Sequence, residues 1–464
     1  MKICTLYGDG FYYVPGTNTC IKLGGYLRVQ LDWNAGGGGV PDGTFNQTTQ
    51  AMYDRVRTND VDYRVRTAFS VDVRDQTEWG TLRSYFRIGI QQSTPGDAPG
   101  GAVFWDRAFI QWAGFTVGKA QSFYDTVTYG GAYSYNNVRT VSDTGASGWN
   151  VWAYTANFGN GFSGTLSLED PNRNRSVIDN TVVGFAAFPG ALTVDCAFGT
   201  SGAAGVACAN TGNGMRMPDV VLQLRLDQAW GYIAASGAIH DVAGAYYATP
   251  NNVNNGHPPD KKGWAASVGA LFNLPGGDKF GVNAQYSVGA AGYGSAIGQV
   301  WSILNPGRNA GWGFQADGVF TTGGDIELTT VWNAIAFYEH VWNARWKTSF
   351  FGGYVMTDYS ATATRLINPV AVCGGLAAAP FAGVTPLAGN SCNPDFSFYQ
   401  VGTRTQFNPH PNLDIGLEVL YTHLNTAYKG AATVVPGLPQ NPVTRLEDQD
   451  VWSAFFRWQR NFYP

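Results

Sequence analysis

Hydrophobic and polar residues alternate with a period of two along most of this chain, which is the signature of β-strands. In 61–75, VDYRVRTAFSVDVRD, one side carries Val61, Tyr63, Val65, Phe69, Val71 and Val73, with only Thr67 among them. The other side carries Asp62, Arg64, Arg66, Ser70, Asp72 and Arg74. The same plan recurs at 20–33, 78–91, 104–113, 115–121, 148–159, 161–170, 218–228, 229–242, 262–274, 278–290, 327–341, 344–358, 396–407, 411–425 and 448–462. No segment has a convincing helical period. The pattern therefore predicts an all-β protein of about sixteen strands.

The connections between these segments alternate in length. Long ones run over 34–60, 92–103, 122–147, 171–217, 243–261, 291–326, 359–395 and 426–447. Those between them are tight and rich in Gly, Pro, Asn and Asp, such as Gly159-Asn160-Gly161 and Asn408-Pro409-His410-Pro411, the residues that turns select. Short turns at one end and long loops at the other are the habit of transmembrane antiparallel β-barrels. A β-propeller would repeat a blade motif at fixed spacing, and none is visible.

Composition agrees with that reading. Of 464 residues only 13% are charged, against about 25% in ordinary soluble domains. No apolar run is long enough for a transmembrane helix. A transmembrane strand exposes lipid-facing side chains only at alternate positions, so the mean hydropathy stays near neutral, at −0.14. The net charge of −4 lacks the basic surplus of a nucleic-acid binder. Met1-Lys2-Ile3-Cys4 opens without the basic and apolar segments of a secretion signal. An exported form is therefore expected to be a mature chain with an added Met, or an incomplete start.

The cysteines favour export. They fall as close neighbours, Cys4 with Cys20, Cys196 with Cys208, and Cys373 with Cys392, and no CxxC occurs. Other connectivities are possible, but sequential pairing closes short loops outside the periodic segments, and oxidising compartments favour bridges.

In a barrel the apolar faces meet lipid and the charged faces meet the lumen. Trp33, Trp112, Trp264, Trp342, Tyr354, Tyr421 and Trp458, near segment ends, suit the interfacial aromatic girdles. About sixteen strands enclose water, so inward charges stay solvated. Lys22, Arg28, Arg64, Arg66, Arg74, Arg83, Arg87 and Arg107 come from the first four segments, which are neighbours around a barrel. They are expected to form one basic wall, and charged walls are how pores select ions. The connection 122–147 carries Asp125, Arg139 and Asp143. Folded inward, it would narrow the opening and set its acids against that wall.

Several stretches resemble the general diffusion porins of alphaproteobacteria. CTLYGDGFYYVPGTNTCIKLGGYLRVQLDW (4–33) is similar to that family's opening, and FTVGKAQSFYD (115–125) to the strand that leads into its inward-folded third loop. YEHVWNARWKTSFFGGY (338–354) and FFRWQRNF (455–462) resemble its later strands. The resemblance implies a sixteen-stranded homotrimer in the bacterial outer membrane, with passive diffusion of small hydrophilic solutes past a constriction at about 122–147. It implies no cofactor. The chain departs from the family in placing Tyr463 and Pro464 after Phe462, where such barrels end on an aromatic residue.

Other functions fit less well. No G-x-S-x-G, HExxH or Walker loop occurs, and the histidines show no metal-ligand spacing, so no catalytic or metal site is expected. A substrate-selective channel for anions or sugars is the alternative. The basic wall favours an anion version, while Asp32, Asp72, Asp227, Asp414 and Glu418 on the same inward faces oppose strong anion preference.

Overall fold

The computed structural model describes residues 3–35, 51–52, 61–94, 101–127, 133–135, 138, 140–142, 144, 148–171, 176–180, 212, 214–247, 253–295, 300–305, 309–368, 391–430, 432–434 and 443–462. Sixteen strands form one closed wall: β1 Cys20–Ala35, β2 Val61–Thr77, β3 Gly80–Thr94, β4 Ala102–Trp112, β5 Phe115–Ala120, β6 Trp149–Gly159, β7 Phe162–Glu169, β8 Asp219–Gln228, β9 Gly231–Val242, β10 Lys261–Asn273, β11 Lys279–Val288, β12 Thr330–Asn343, β13 Trp346–Asp358, β14 Phe396–His410, β15 Leu413–Asn425 and β16 Gln449–Asn461. Each pairs antiparallel with its sequence neighbours, and β16 returns to β1 with Asn461 opposite Tyr26 and Trp452 opposite Ala35. Closure leaves no strand edge, which is what a β-structure in lipid requires. No helix among the described residues is long and apolar enough to cross a membrane.

The outer face carries the apolar set. Leu27, Val29, Val65, Phe69, Ile88, Leu166, Leu222, Val268 and Leu417 are exposed there, which is tolerable only against hydrocarbon. Of the aromatic residues expected at the girdles, Trp33, Trp112, Trp264, Trp342 and Trp458 are exposed, while Tyr354 and Tyr421 are half-buried.

Some boundaries differ from the sequence expectation. The segment expected at 327–341 begins as a wall strand only at Thr330. Glu327–Leu328 instead joins a small sheet with Val177–Asn180 and Ala316–Phe320. The connection expected at 291–326 is not featureless. It holds a short helix, Ala291–Gly294, and strands Val300–Asn305, Asn309–Phe314 and Ala316–Phe320. Ala361–Ile367, within the next long connection, is helical and is capped by Ser360, whose side chain accepts from Ala363 N. These pieces were hidden because each spans only four to seven residues, too few for a period to stand out. They pack Phe314, Ala316, Val319 and Ile367 against Val331, Val355, Phe398 and Leu424 at the loop end of β12–β15.

Cys4 and Cys20 are joined in a disulfide with their Cα atoms 6.1 Å apart. The loop they close pairs Tyr12–Tyr13 with β1 at Cys20 and Ile21, beyond the point where β16 ends. Cys392 is also disulfide-bonded. Cys196, Cys208 and Cys373 lie outside the described residues.

Candidate pore wall and inner loop

The inward faces of β1–β4 bring the predicted arginines together. Register places Arg28 opposite Arg66, and Arg66 opposite Gln91. Arg87 stands opposite Arg107, and Arg74 opposite Arg83. Like charges directly opposite one another are unfavourable unless they are compensated or solvated, and the wall does both. Asp72 takes bidentate bonds from Arg74 and Arg83, with contacts of 2.8–3.0 Å. Asp106 takes Arg87 at 2.8 Å through both oxygens. The register shifts at Arg87/Ile88, and this bulge admits Asp106 to the inner face beside Arg107; re-aiming a side chain is what bulges do.

Higher on the wall the partners are neutral. Arg28 Nε donates to Gln459 Oε1 at 2.8 Å, Arg66 Nε to Gln91 Oε1 at 3.0 Å, and Arg64 Nε to Ser93 Oγ at 3.4 Å. Lys22 lies at the turn end. Its Nζ donates to Asp9 O at 2.9 Å, and it faces the ring of Phe11. Arg107 donates to Asp106 O at 2.6 Å.

The opposite wall is covered from inside by the segment after β5. Ser122 Oγ and Phe123 N donate to Glu169 at 2.6 and 2.9 Å. Tyr124 OH reaches Ala266 O at 3.0 Å, Thr126 Oγ1 meets Ser267 Oγ at 2.9 Å, and Gln285 Oε1 accepts from Ser142 N at 2.9 Å. Further along, Ser134 Oγ donates to Glu418 Oε1 at 2.9 Å and Tyr135 O accepts from Arg457 Nη2 at 2.6 Å. Arg404 and Arg457 stack on the Tyr135 ring, with their guanidinium carbons 5.0 and 4.2 Å from its centroid. Burial pushes the Tyr133 and Tyr135 phenols up to about 12, so both stay neutral at any ordinary pH.

Glycines make the seat. A Cβ at Gly269 would come within 2.6 Å of Thr126 Oγ1, at Gly353 within 2.2 Å of Thr140 Oγ1, and at Gly416 within 2.1 Å of Tyr135 OH. Between these points Val127, Tyr133, Val138 and Val141 pack on Ile335, Phe337, Phe351 and Leu420, and the Tyr133 and Phe337 rings stack at 3.7 Å. Asp125 is buried and closes the segment on itself by accepting from Thr144 N at 2.9 Å. Arg139 and Asp143 lie outside the described residues.

The chain matches the model of the family described as Porin subfamily over residues 1–455. It belongs to that porin family. Among curated relatives, porin Omp2b of Brucella suis is 30% identical over 184 residues, which is 38% of this chain and 46% of that one. A putative outer membrane protein of Sinorhizobium fredii, y4fJ, is 28% identical over 138 residues, covering 30% of this chain and 38% of that protein. The matches thus span about half, or less, of the length of these relatives. Among solved structures, the outer membrane channel DcaP of Acinetobacter baumannii aligns over 97% of this chain and 99% of its own, with a TM-score of 0.61 at 12% identity. That likeness is one of fold. The family and the closed barrel place this porin in the bacterial outer membrane.

Several charged residues of the porin's covered wall escaped the sequence reading. Arg404 donates to Glu339 Oε2 at 2.9 Å, with both side chains almost wholly buried. Arg457 Nε donates to Gln30 Oε1 at 2.8 Å. They alternate in TRTQF and FFRWQRN just as the wall arginines do, but on strands outside the first four. A second signal was present in 331–338, VWNAIAFY. Apart from Asn333 it is apolar on both faces, and a strand apolar on both faces is covered on both. His240 is likewise buried, with Nδ1 2.8 Å from Asp219 Oδ1 and Nε2 3.5 Å from Asp317 Oδ2. It ties the 291–326 connection to β8 and β9. No metal-binding group of His, Cys, Asp and Glu occurs among the described residues.

Proposed function

We propose that this porin forms a water-filled channel for passive diffusion of small hydrophilic solutes, narrowed at the segment 122–147. The observation that carries the reading is the asymmetry of the inner surface. Arginines stand part-exposed on β1–β4, while a segment bonded at Ala266, Ser267, Gln285, Ser349 and Glu418 covers the wall across from them. Solutes pass between the two. The pore-lining residues on this reading are Arg28, Arg64, Arg66, Arg74, Arg83, Arg87 and Arg107, with Lys22 at the turn end and Asp125 behind the loop.

Single-channel recording of refolded protein in a planar bilayer under a KCl gradient tests the proposal. Stable conductance steps with a reversal potential favouring Cl⁻ are expected. Well-folded protein that inserts without steps would sink the diffusion-pore reading.

Assembly as a homotrimer belongs to the same proposal. The closing strand offers aromatic surface at Phe456, Trp458 and Phe462, which are exposed, whereas Phe455 turns inward and is fully buried. Steps in threes, together with trimers on cross-linking in mild detergent, are expected. Monomers alone would count against the trimer.

A further inference from the structure

The inner face of β1–β4 is ordered in a way that a merely basic surface would not be. Its inward residues form successive rows across the strands, about 7 Å apart along each strand. The top row is Arg28 and Arg66, with Arg64 just above it. The next is Tyr26, Ala68, Gly89 and Phe104. Below come Arg87 and Arg107, then Lys22, Asp72, Tyr85 and Phe109, then Arg74 and Arg83. Arginine rows and ring-bearing rows alternate down the wall, and the lower ring-bearing row also holds Lys22 and Asp72.

The rings and guanidinium groups touch between rows. Arg66 lies 4.5 Å from the Phe104 centroid and Arg28 lies 4.9 Å from that of Tyr26. Arg83 lies 5.2 and 5.3 Å from Tyr85 and Phe109, whose rings stack at 5.4 Å. At the turn end Arg74 lies 4.8 Å from Phe11. Gly89 leaves room for the Phe104 ring to lie across β3, since a Cβ there would come within 2.4 Å of it. Phe104, Tyr85 and Phe109 keep part of their surface open.

Charge compensation is graded along the same line. Among the described residues Arg28, Arg64 and Arg66 bond to neutral oxygens, while Arg87, Arg74 and Arg83 hold Asp106 and Asp72. Above these rows Asp32 faces Asp62 at the loop end, so an anion that has passed those carboxylates meets its strongest attraction at Arg64, Arg28 and Arg66 and weaker attraction below, an order that captures it and then lets it go.

We infer that this wall is a track for planar aromatic carboxylates, with the carboxylate held by Arg28, Arg64 and Arg66 and the ring laid against Phe104 and, further down, Tyr85 and Phe109. A guanidinium pair alone accepts any small anion, and aromatic faces alone accept any flat apolar group. Their alternation selects solutes that are both. The inference rests on the open-pore reading above and deepens it by naming a solute class.

The test adds benzoate, cyclohexanecarboxylate or benzamide to the loop-end side of the intact porin while its KCl current is recorded. The presence of KCl steps settles the open-pore reading separately. Benzoate is expected to reduce the current saturably, with a half-blocking concentration at least about five-fold below that of cyclohexanecarboxylate, the order of effect that a ring–guanidinium contact supplies. Benzamide should block still less. Phe104→Leu should erase the benzoate preference while keeping the response to both carboxylates, and Arg28→Gln with Arg66→Gln should weaken both carboxylates together. Heat-modifiable gel migration shows which variants fold. Equal block by benzoate and cyclohexanecarboxylate in the unmodified porin overturns the inference, because the rings then serve only to hold the arginines in place.

Discussion

The two halves of the barrel obey one alternation rule and reach opposite outcomes. On β1–β4 the inward residues are arginines with side chains about a quarter exposed, such as Arg74 at 26% and Arg83 at 28%. On β12–β16 the inward Arg404 is 1% exposed and its neighbours are Phe337, Phe351 and Phe455. The difference lies in what stands in front of each wall. Water faces the first, and a charge there needs little help. The segment after β5 covers the second, so its charges must be paired or hydrogen-bonded and its remaining surface can be apolar. Polarity of an inward face therefore reports coverage, and the both-sided apolar pattern of β12 marks where the inner segment lies.

This comparison predicts unequal costs for equivalent changes. Glu339→Ala removes the carboxylate that accepts from buried Arg404 and should cost about 3 kcal/mol, seen as a lower temperature for the loss of heat-resistant gel migration. Asp72→Ala on the open wall should cost about 1 kcal/mol or less, because its arginines remain solvated. Similar losses for both variants would break the distinction between a wet wall and a covered one.

Evicting the inner segment is the next largest effect expected. Gly416→Phe places a side chain where Tyr135 OH sits, and Gly353→Val does the same at Thr140. Either should raise single-channel conductance roughly two-fold and blunt ion selectivity, since a narrow charged gap is what selects. Unchanged conductance in a folded variant would mean that the segment does not limit flow. On the open wall, Arg66→Gln should lower the preference for Cl⁻ by a factor of about two, measured as a reversal potential, and leave conductance nearly the same.

The smallest effect belongs to the turn end. Asp278 accepts from Tyr338 OH and Val341 N, and its Oδ2 lies 2.8 Å from His340 Nδ1. The Tyr338 hydroxyl, followed by the Val341 amide and His340, holds its carboxyl down at about 2. A carboxylate depressed in the fold stabilises above its ordinary value, and the contribution is lost as pH falls through the depressed one. The β10–β11 turn should thus hold through pH 4 and loosen towards pH 2 by acid titration of thermal unfolding. Asp278→Asn should be less stable at neutral pH and show no such acid step.

Much of the fold was legible because lipid enforces strict alternation and turns enforce their residue types. Sixteen segments, their order and the unequal ends follow from 61–75 and its counterparts. The arginines of β1–β4 were legible as one wall for the same reason. The seat of the inner segment was not, because it depends on contacts between residues far apart in sequence, such as Tyr135 with Gly416 and Thr126 with Ser267. A one-dimensional pattern shows that Phe337 is apolar and not what it touches. The bulge at Asp106 was hidden for a similar reason, as one extra residue leaves β4 looking regular while changing which carboxylate meets Arg87.

The seam between β1 and β16 has a consequence for the order of events in assembly. Tyr26 faces Asn461, and Phe462 N donates to Gly25 O at 3.0 Å. These partners sit near the two ends of the sequence, so their pairing closes almost the longest loop the chain can make. Every other wall contact joins consecutive strands and closes far less. Entropy then favours zipping from hairpin to hairpin, with the seam last. Until it forms, β1 and β16 are open edges able to recruit any passing strand. The Cys4–Cys20 loop, with Tyr12–Tyr13 already paired on the lower part of β1, blunts part of one such edge while the molecule waits for its final strand.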